Sequence, residues 1–309
     1  MKKNRFIWAA GLAAGWWAWQ EYRRSRSQTP LAALSARSLA VITGASAGIG
    51  AAYATQLAAR GYNLLLVARR RERLRALATQ LRRQYGIEVE LAIVDLANPT
   101  QVTDFAESLR QRSDLAVLVN NAGFGTGEPF AAENISGQLD MVQVHIQSAL
   151  ALTHAALQPM LANQNGIIIS VSSLAGWFAA PNSAVYAATK AFLNLFGKAL
   201  SSELAESGIQ VQVVCPGLTH TEFHDAAALQ DGRWKRLPTW LWQSAEVVVR
   251  DSLAGLTSEE VIFIPGWHNR LLYWFSFCTP VIDFVLSPTK MAMVGRALAR
   301  VRSSLKPSN

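Results

Sequence analysis

A phenol and an ammonium stand four residues apart in VYAATKAF, residues 185–192. On a helix, positions i and i+4 share one face, so Tyr186 and Lys190 can touch. A free phenol titrates near pH ~10 and is a weak acid or base at neutrality. A neighbouring positive charge favours the phenolate and lowers that value. A phenol tuned in this way can exchange a proton with the oxygen of an alcohol or a ketone. Taken alone, the pair is also what an ordinary solvated helix face carries, so the elements around it decide.

Those elements alternate. LAVIT (39–43), NLLLVA (63–68), VELAIVDL (89–96), LAVLVNNAG (115–123), GIIISVSS (166–173) and IQVQVVCPG (209–217) are apolar runs of strand type. Between them lie helical patterns: GIGAAYATQLAARG, the charged amphipathic RERLRALATQLRRQYG, Pro99 to Arg112, Gly137 to Ala162, and the segment bearing Tyr186 and Lys190. Alternation of this kind predicts an α/β domain with a parallel sheet covered on both faces. The first strand passes into the first helix through TGASAGIG (43–50). Glycines there permit a tight turn and close approach of backbone to a phosphate, and the helix N-terminus adds a favourable field.

Five motifs then stand in one order: TGASAGIG (43–50), the aspartate of VDL (Asp95), NNAG (120–123), Ser173 thirteen residues before the Y-x-x-x-K of Tyr186 and Lys190, and PGLTHT (216–221). In this order the chain resembles the short-chain dehydrogenase/reductase family. The resemblance implies a doubly wound, Rossmann-like parallel sheet of about seven strands. It also implies a nicotinamide cofactor across the carboxyl ends of the strands. Gly44, Ser46, Gly48, Ile49 and Gly50 would line the pyrophosphate, Asp95 would reach the adenine, and Asn121 and Gly123 would line the adenine-ribose path. Lys190 would bind the nicotinamide ribose and lower the Tyr186 pKa, and Ser173 would hold the substrate oxygen. Pro216, Gly217, Thr219 and Thr221 would sit near the nicotinamide and its phosphate. Ser173 and Tyr186 would stabilise the charge that hydride addition places on a carbonyl oxygen. No metal is required.

Two positions refine this expectation. VARRRERL has Ala68 where NAD-preferring relatives carry an acid, and Arg69 and Arg70 follow. A guanidinium can pair with a 2′-phosphate, and no carboxylate is there to hold a free 2′-hydroxyl, so NADP(H) is the expected cofactor. The family commonly has an asparagine in the helix before the active-site strand, where it supports a water chain to the lysine. Aligning QVHIQSALALT puts His145 there. A histidine can serve that relay, titrate near pH ~6.5, or simply be a hydrogen-bonded buried side chain. His220 and His224 flank a glutamate in HTEFH, which is not the zinc pattern H-E-x-x-H. Asn134 heads an N-I-S sequon.

The positive charge belongs to the ends. Residues 1–37 hold seven Lys/Arg and one Glu, residues 290–309 five Lys/Arg and no acid, and the stretch between them is slightly acidic. Basic ends suggest an anionic membrane surface, and no nucleic-acid motif is present. Phe6 to Gln20 is uncharged and carries Trp8, Trp16, Trp17 and Trp19. As a helix it spans about 22 Å, short of a ~30 Å hydrocarbon core. The bulky tryptophans make a poor signal-cleavage site, so an uncleaved anchor is expected over a secretory signal. The run LLYWFSFCTPVIDFVL (271–286) is apolar and aromatic, and a basic amphipathic stretch follows. Two cysteines, Cys215 and Cys278, exclude a disulfide framework.

The expected organisation is an anchor segment (1–37), a dinucleotide-binding catalytic domain (38–265) held in the cytoplasm, and a C-terminal extension (266–309). Trp177, Phe178, Trp234, Trp240 and Trp242 surround the substrate region, so the expected partner is an apolar, lipid-like carbonyl or alcohol met at a membrane. Self-association as a homo-oligomer stays open. The alternative is a membrane-tethered dinucleotide-binding protein that senses or scaffolds without turnover.

Overall fold

The computed structural model describes residues 37–178, 181–223, 237–258 and 260–276. The expected N-terminal anchor, Trp234, His224 and the C-terminal stretch beyond 276 lie outside the described residues.

The alternation is realised as expected. β1 (Leu39–Thr43), α1 (Gly48–Ala58), β2 (Asn63–Val67), α2 (Arg71–Tyr85), β3 (Val89–Ala92), α3 (Pro99–Arg110) and β4 (Leu115–Asn120) make the first half. α4 (Ile135–Val142) runs through a π turn at Gln143–Gln147 into α5 (Ser148–Ala162), and then come β5 (Gly166–Val171), α6 (Ala184–Glu203) and β6 (Ile209–Val214). Two short strands, β7 (Thr219–His220) and β8 (Gln243–Ser244), pair with each other, followed by α7 (Ala245–Gly255), β9 (Ile262–Phe263) and α8 (Trp267–Ser276). Local signals set several boundaries. Asn98 caps α3 with its side chain on the Gln101 amide, and Pro99 occupies the first turn, where its missing N–H costs nothing. Gly86 ends α2 at φ 65°, a conformation that suits glycine. Asn134 of the N-I-S sequon caps α4.

The main sheet has the order β3-β2-β1-β4-β5-β6-β9, and every neighbouring pair is parallel. The seventh strand, β9, is two residues long, too short to leave a periodic signal in the sequence. Alternate residues of each strand feed two cores. Ala40 and Ile42 of β1 face a layer with Tyr53 and Leu57 of α1, Leu74 and Leu81 of α2, and Val248 and Leu253 of α7. Leu39 and Val41 face the opposite layer, with Phe105 and Leu109 of α3, Leu152 and Met160 of α5, and Leu200 of α6. A sheet buried on both faces explains why its strands read as continuous apolar runs.

Strand order reverses between β1 and β4, and the chain leaves neighbouring strands there in opposite directions. That opens a crevice at their carboxyl ends, the place where such sheets bind ligands. α6, which carries Tyr186 and Lys190, is seated beside this crevice by two glycines. A Cβ on Gly197 would stand 2.1 Å from Val213 Cγ2, and one on Gly176 would stand 2.8 Å from the Lys190 backbone. Gly197→Ala is therefore expected to cost about 1–3 kcal/mol of stability by overpacking α6 against β6. A urea titration that finds no loss would contradict this seating.

Candidate active site

The carboxyl ends of the strands surround a cleft of about 480 Å³. Gly44, Ser46, Gly48 and Ile49 line it from the first turn, Arg69 and Arg70 from the end of β2, and Asp95 from beyond β3. Asn121 and Gly123 follow β4, Ser173 follows β5, and Tyr186 and Lys190 come from α6. Pro216, Gly217, Thr219 and Thr221 complete the wall after β6. Of the residues expected to bind cofactor or take part in catalysis, Gly50 and His145 do not line this cleft, and neither do Trp177, Phe178, Trp240 and Trp242, the aromatics expected around the substrate.

The first turn is shaped for close approach. Gly44 and Gly48 have φ of 66° and 54°. The Ala47 N-cap of α1 gives no side-chain cap, which leaves the first-turn amides available to an anion in the cleft. Gly50 acts from behind, since a Cβ there would lie 2.4 Å from Gly44 O. Its role is packing of helix on turn. Asn121 bolts the switch point together: its side-chain Nδ2 donates to Thr43 O (2.8 Å), and Thr43 Oγ1 accepts from the Asn121 and Ala122 backbone N–H groups (2.9 and 3.0 Å). Asp95 Oδ1 accepts from the Ala97 amide (3.0 Å) and lies 3.8 Å from Arg69 Nη1.

At the other end of the cleft, Lys190 is buried and donates from Nζ to Val171 O (2.9 Å). The same Nζ is 5.6 Å from the centre of the Tyr186 ring. The two groups are neighbours, as the spacing predicts, but burial governs their titration. Desolvation pushes the Tyr186 phenol up to about 12, and a hydrogen bond with Ser173 opposes part of that rise. Desolvation brings the Lys190 ammonium down to about 8. The expectation that Lys190 lowers the phenol is thus not met in the cofactor-free protein. Removing water from both groups outweighs a charge standing beside the ring.

His145 sits behind the cleft in the π turn, between the Phe124 loop and α6. Its Nε2 accepts from the Phe124 amide (3.1 Å), so Nδ1 carries the hydrogen and points at Thr189 Oγ1 (2.8 Å). Thr189 Oγ1 in turn donates to Tyr186 O (2.8 Å). Burial and then the Lys190 charge hold the imidazole well below its usual range. Of the three readings open in the sequence, the neutral, hydrogen-bonded side chain is the one realised. Both ring nitrogens are engaged, and the histidine ties the Tyr186 turn to the Phe124 loop.

Several contributors were not singled out from the sequence. Thr189 sits three residues after Tyr186 on the helix, a spacing that could have flagged it. Phe223 packs at 5.6 Å from the Tyr186 ring. Glu222 takes Arg70 and Arg73 from the far wall, and nothing short of the fold brings those residues together. His220 and Trp242, both picked out in the sequence, stack on each other at 4.9 Å.

The residues fit a phosphorylated dinucleotide. The cleft offers uncapped helix amides at one point, guanidinium groups at the end of β2, and a buried amine beside a phenol at the far end. Comparisons with known proteins agree. Residues 38–231 match the family model described as short chain dehydrogenase. The chain is 34% identical over 181 residues to a very-long-chain 3-oxoacyl-CoA reductase of Anas platyrhynchos, covering 57% of this chain and 58% of the relative. It is 33% identical over 180 residues to inactive hydroxysteroid dehydrogenase-like protein 1 of Homo sapiens, covering 57% and 54%. The matched stretch therefore spans little more than half the length of these curated relatives. A short-chain dehydrogenase from Sphingobium yanoikuyae in complex with NADPH superposes with a TM-score of 0.70 at 29% identity, covering 88% of this chain and 97% of that one.

The buried amine has a measurable consequence for stability. Below pH ~8 the folded protein carries a costly buried charge on Lys190, and above pH ~10.5 neither folded nor unfolded chain carries it. Lys190→Met is therefore expected to be more stable than the wild type by up to about 3 kcal/mol at pH 7, with the difference vanishing by pH ~10.5. Denaturant titrations of both proteins at the two pH values check the sign. A wild type favoured at pH 7 would contradict it.

Proposed function

Because the chain belongs to the short chain dehydrogenase family, we propose that it is an NADP(H)-dependent oxidoreductase interconverting a carbonyl and an alcohol on an apolar, lipid-like substrate. The observation that carries this is the buried Lys190 beside Tyr186, with Ser173 hydrogen-bonded to the phenol, at the end of a cleft whose other end is lined by arginines.

The roles follow from the groups. Arg69 and Arg70 would take the 2′-phosphate, the first-turn amides of α1 the pyrophosphate, and Lys190 the nicotinamide ribose. When bound, the reduced dinucleotide supplies the hydride. Tyr186, kept protonated by its burial, gives its proton to the oxygen of the carbonyl being reduced, and Ser173 donates a hydrogen bond to that oxygen. The phenolate left behind is stabilised by Lys190, which at about 8 is still largely cationic at pH 7. His145 holds the Tyr186 turn from behind as a positioning residue.

Two features favour an apolar substrate. One is the relative named for very-long-chain 3-oxoacyl-CoA. The other is α8, which is built inside out. Its His268 and Asn269 are buried, with Asn269 donating to Gln243 Oε1 and Pro265 O (2.8 Å each), while Trp267, Leu271 and Trp274 are 71%, 48% and 65% exposed. Those three share one helical stripe, and Trp240 stacks on Trp267 at 6.4 Å. Tyr273 of the same helix meets Trp177, just beyond Ser173, at 4.8 Å. An apolar stripe next to the substrate end suits a lipid surface, where tryptophan partitions well and where the basic ends of the chain add attraction. Among the described residues no helix is long and apolar enough to cross a membrane, so for them the reading is surface contact.

NADPH consumption with long-chain 3-oxoacyl thioesters and with small polar ketones tests the proposal. Turnover of the long-chain substrates is expected, with Tyr186→Phe losing about a hundredfold to ten-thousandfold while still binding NADPH. NADPH binding with no turnover of any apolar carbonyl would favour the alternative, a dinucleotide-binding protein without catalysis, to which the relative named inactive lends weight.

A further inference from the structure

Arg70 is engaged in two directions. Its Nε and Nη2 donate to Ser46 Oγ (2.9 and 2.8 Å), and its Nη1 donates to Glu222 Oε2 (2.7 Å). Arg73, in the first turn of α2, holds the other carboxylate oxygen, Oε1. Glu222 belongs to the opposite wall of the cleft, directly after Thr221. Its carboxylate is therefore clamped across the cleft by two guanidinium groups, which hold its pKa below the usual range.

A carboxylate and a phosphate offer guanidinium the same thing, an oxyanion that accepts charge-assisted hydrogen bonds. A guanidinium has donors enough for both, but their like charges repel, so a phosphate seated on Arg70 weakens the hold of Glu222. What Glu222 is attached to gives the competition a consequence. The next residue, Phe223, packs on the Tyr186 ring at 5.6 Å and also presses on Gly125, where an added Cβ would be 3.0 Å from Phe223 Cζ. The segment tied to the arginines through Glu222 is the segment that covers the phenol.

We propose that Glu222 is an internal anion that competes with the cofactor's 2′-phosphate for Arg70, so that filling the phosphate position loosens one of the two ties, the other being to Arg73, that hold the segment covering Tyr186. The inference rests on the NADP(H) reading above and adds a residue to it. Glu222 weakens phosphate binding, and in exchange the Phe223 cover on the Tyr186 ring is loosened when the cofactor is in place.

The test uses the full chain and two nucleotides that differ by the phosphate in question, 2′,5′-ADP and 5′-AMP, in calorimetric titrations. Wild type is expected to bind 2′,5′-ADP more tightly than 5′-AMP. Glu222→Gln, at an exposed position, is expected to bind 2′,5′-ADP about threefold to fivefold more tightly than wild type, the scale of an exposed ion pair, with 5′-AMP unchanged. In an Arg70→Ala background the same substitution is expected to change neither affinity, because the competed-for group is gone. A 4-fluorophenylalanine at position 223 gives a second readout. Its fluorine resonance in ligand-free Glu222→Gln is expected to move toward that of wild type saturated with 2′,5′-ADP. Unchanged or weaker 2′,5′-ADP binding by Glu222→Gln would overturn the proposal, since Glu222 would then be holding Arg70 ready for the phosphate. A wild type that binds both nucleotides equally would instead remove the NADP(H) reading itself.

Discussion

A lysine side chain removed from water determines most of what this site can do. Lys190 Nζ has Val171 O at 2.9 Å and is packed beneath the Tyr186 ring. Holding an ammonium there is costly, and the cost is visible in an amine brought down to about 8. The surrounding structure supports that placement. Ser172 Oγ donates to Lys190 O (2.9 Å), fixing the helix turn, and the close seats at Gly176 and Gly197 leave α6 no room to drift from β6. Position is thus imposed by backbone contacts, and the proposed chemistry would use a charge whose burial is costly to the fold.

The same cleft handles negative charge at its other end. Uncapped amides of α1, Arg69 and Arg70 present a field for phosphate, while Glu222 already answers part of it. One segment, Thr219 to Phe223, therefore touches both ends: arginines through Glu222, and the phenol through Phe223. His145 works on the opposite side of the phenol, through Thr189, without reaching the cleft. Tyr186 is held between a segment tied to charged arginines and a histidine that stays neutral.

Much of this was legible in the sequence, because the signals were local or periodic. Apolar runs gave six strands, and TGASAGIG between a strand and a helix gave the turn that opens the crevice. The spacing of Tyr186 and Lys190 gave their shared face. What escaped depended on the surroundings. The direction of the phenol's shift follows from desolvation, which no spacing encodes. The state of His145 depends on Phe124 and Thr189 meeting its two nitrogens across 21 and 44 residues. Glu222 meets Arg70 across 152 residues, so the pair exists only in the fold. Nothing local in the apolar stretch from 271 separates core from surface, yet Leu271, Leu272 and Trp274 lie on the surface.

The central claim is that burial, and not the neighbouring ammonium, sets the phenol in the cofactor-free protein. Tyrosine labelled with carbon-13 at Cζ reports ionisation directly, and the chain has six tyrosines, so the Tyr186 resonance can be assigned from its loss in Tyr186→Phe. In a pH titration without cofactor, that resonance is expected to stay at the phenol position beyond pH ~10, where an ordinary tyrosine is half ionised. A phenolate appearing at Tyr186 near neutral pH would contradict the account.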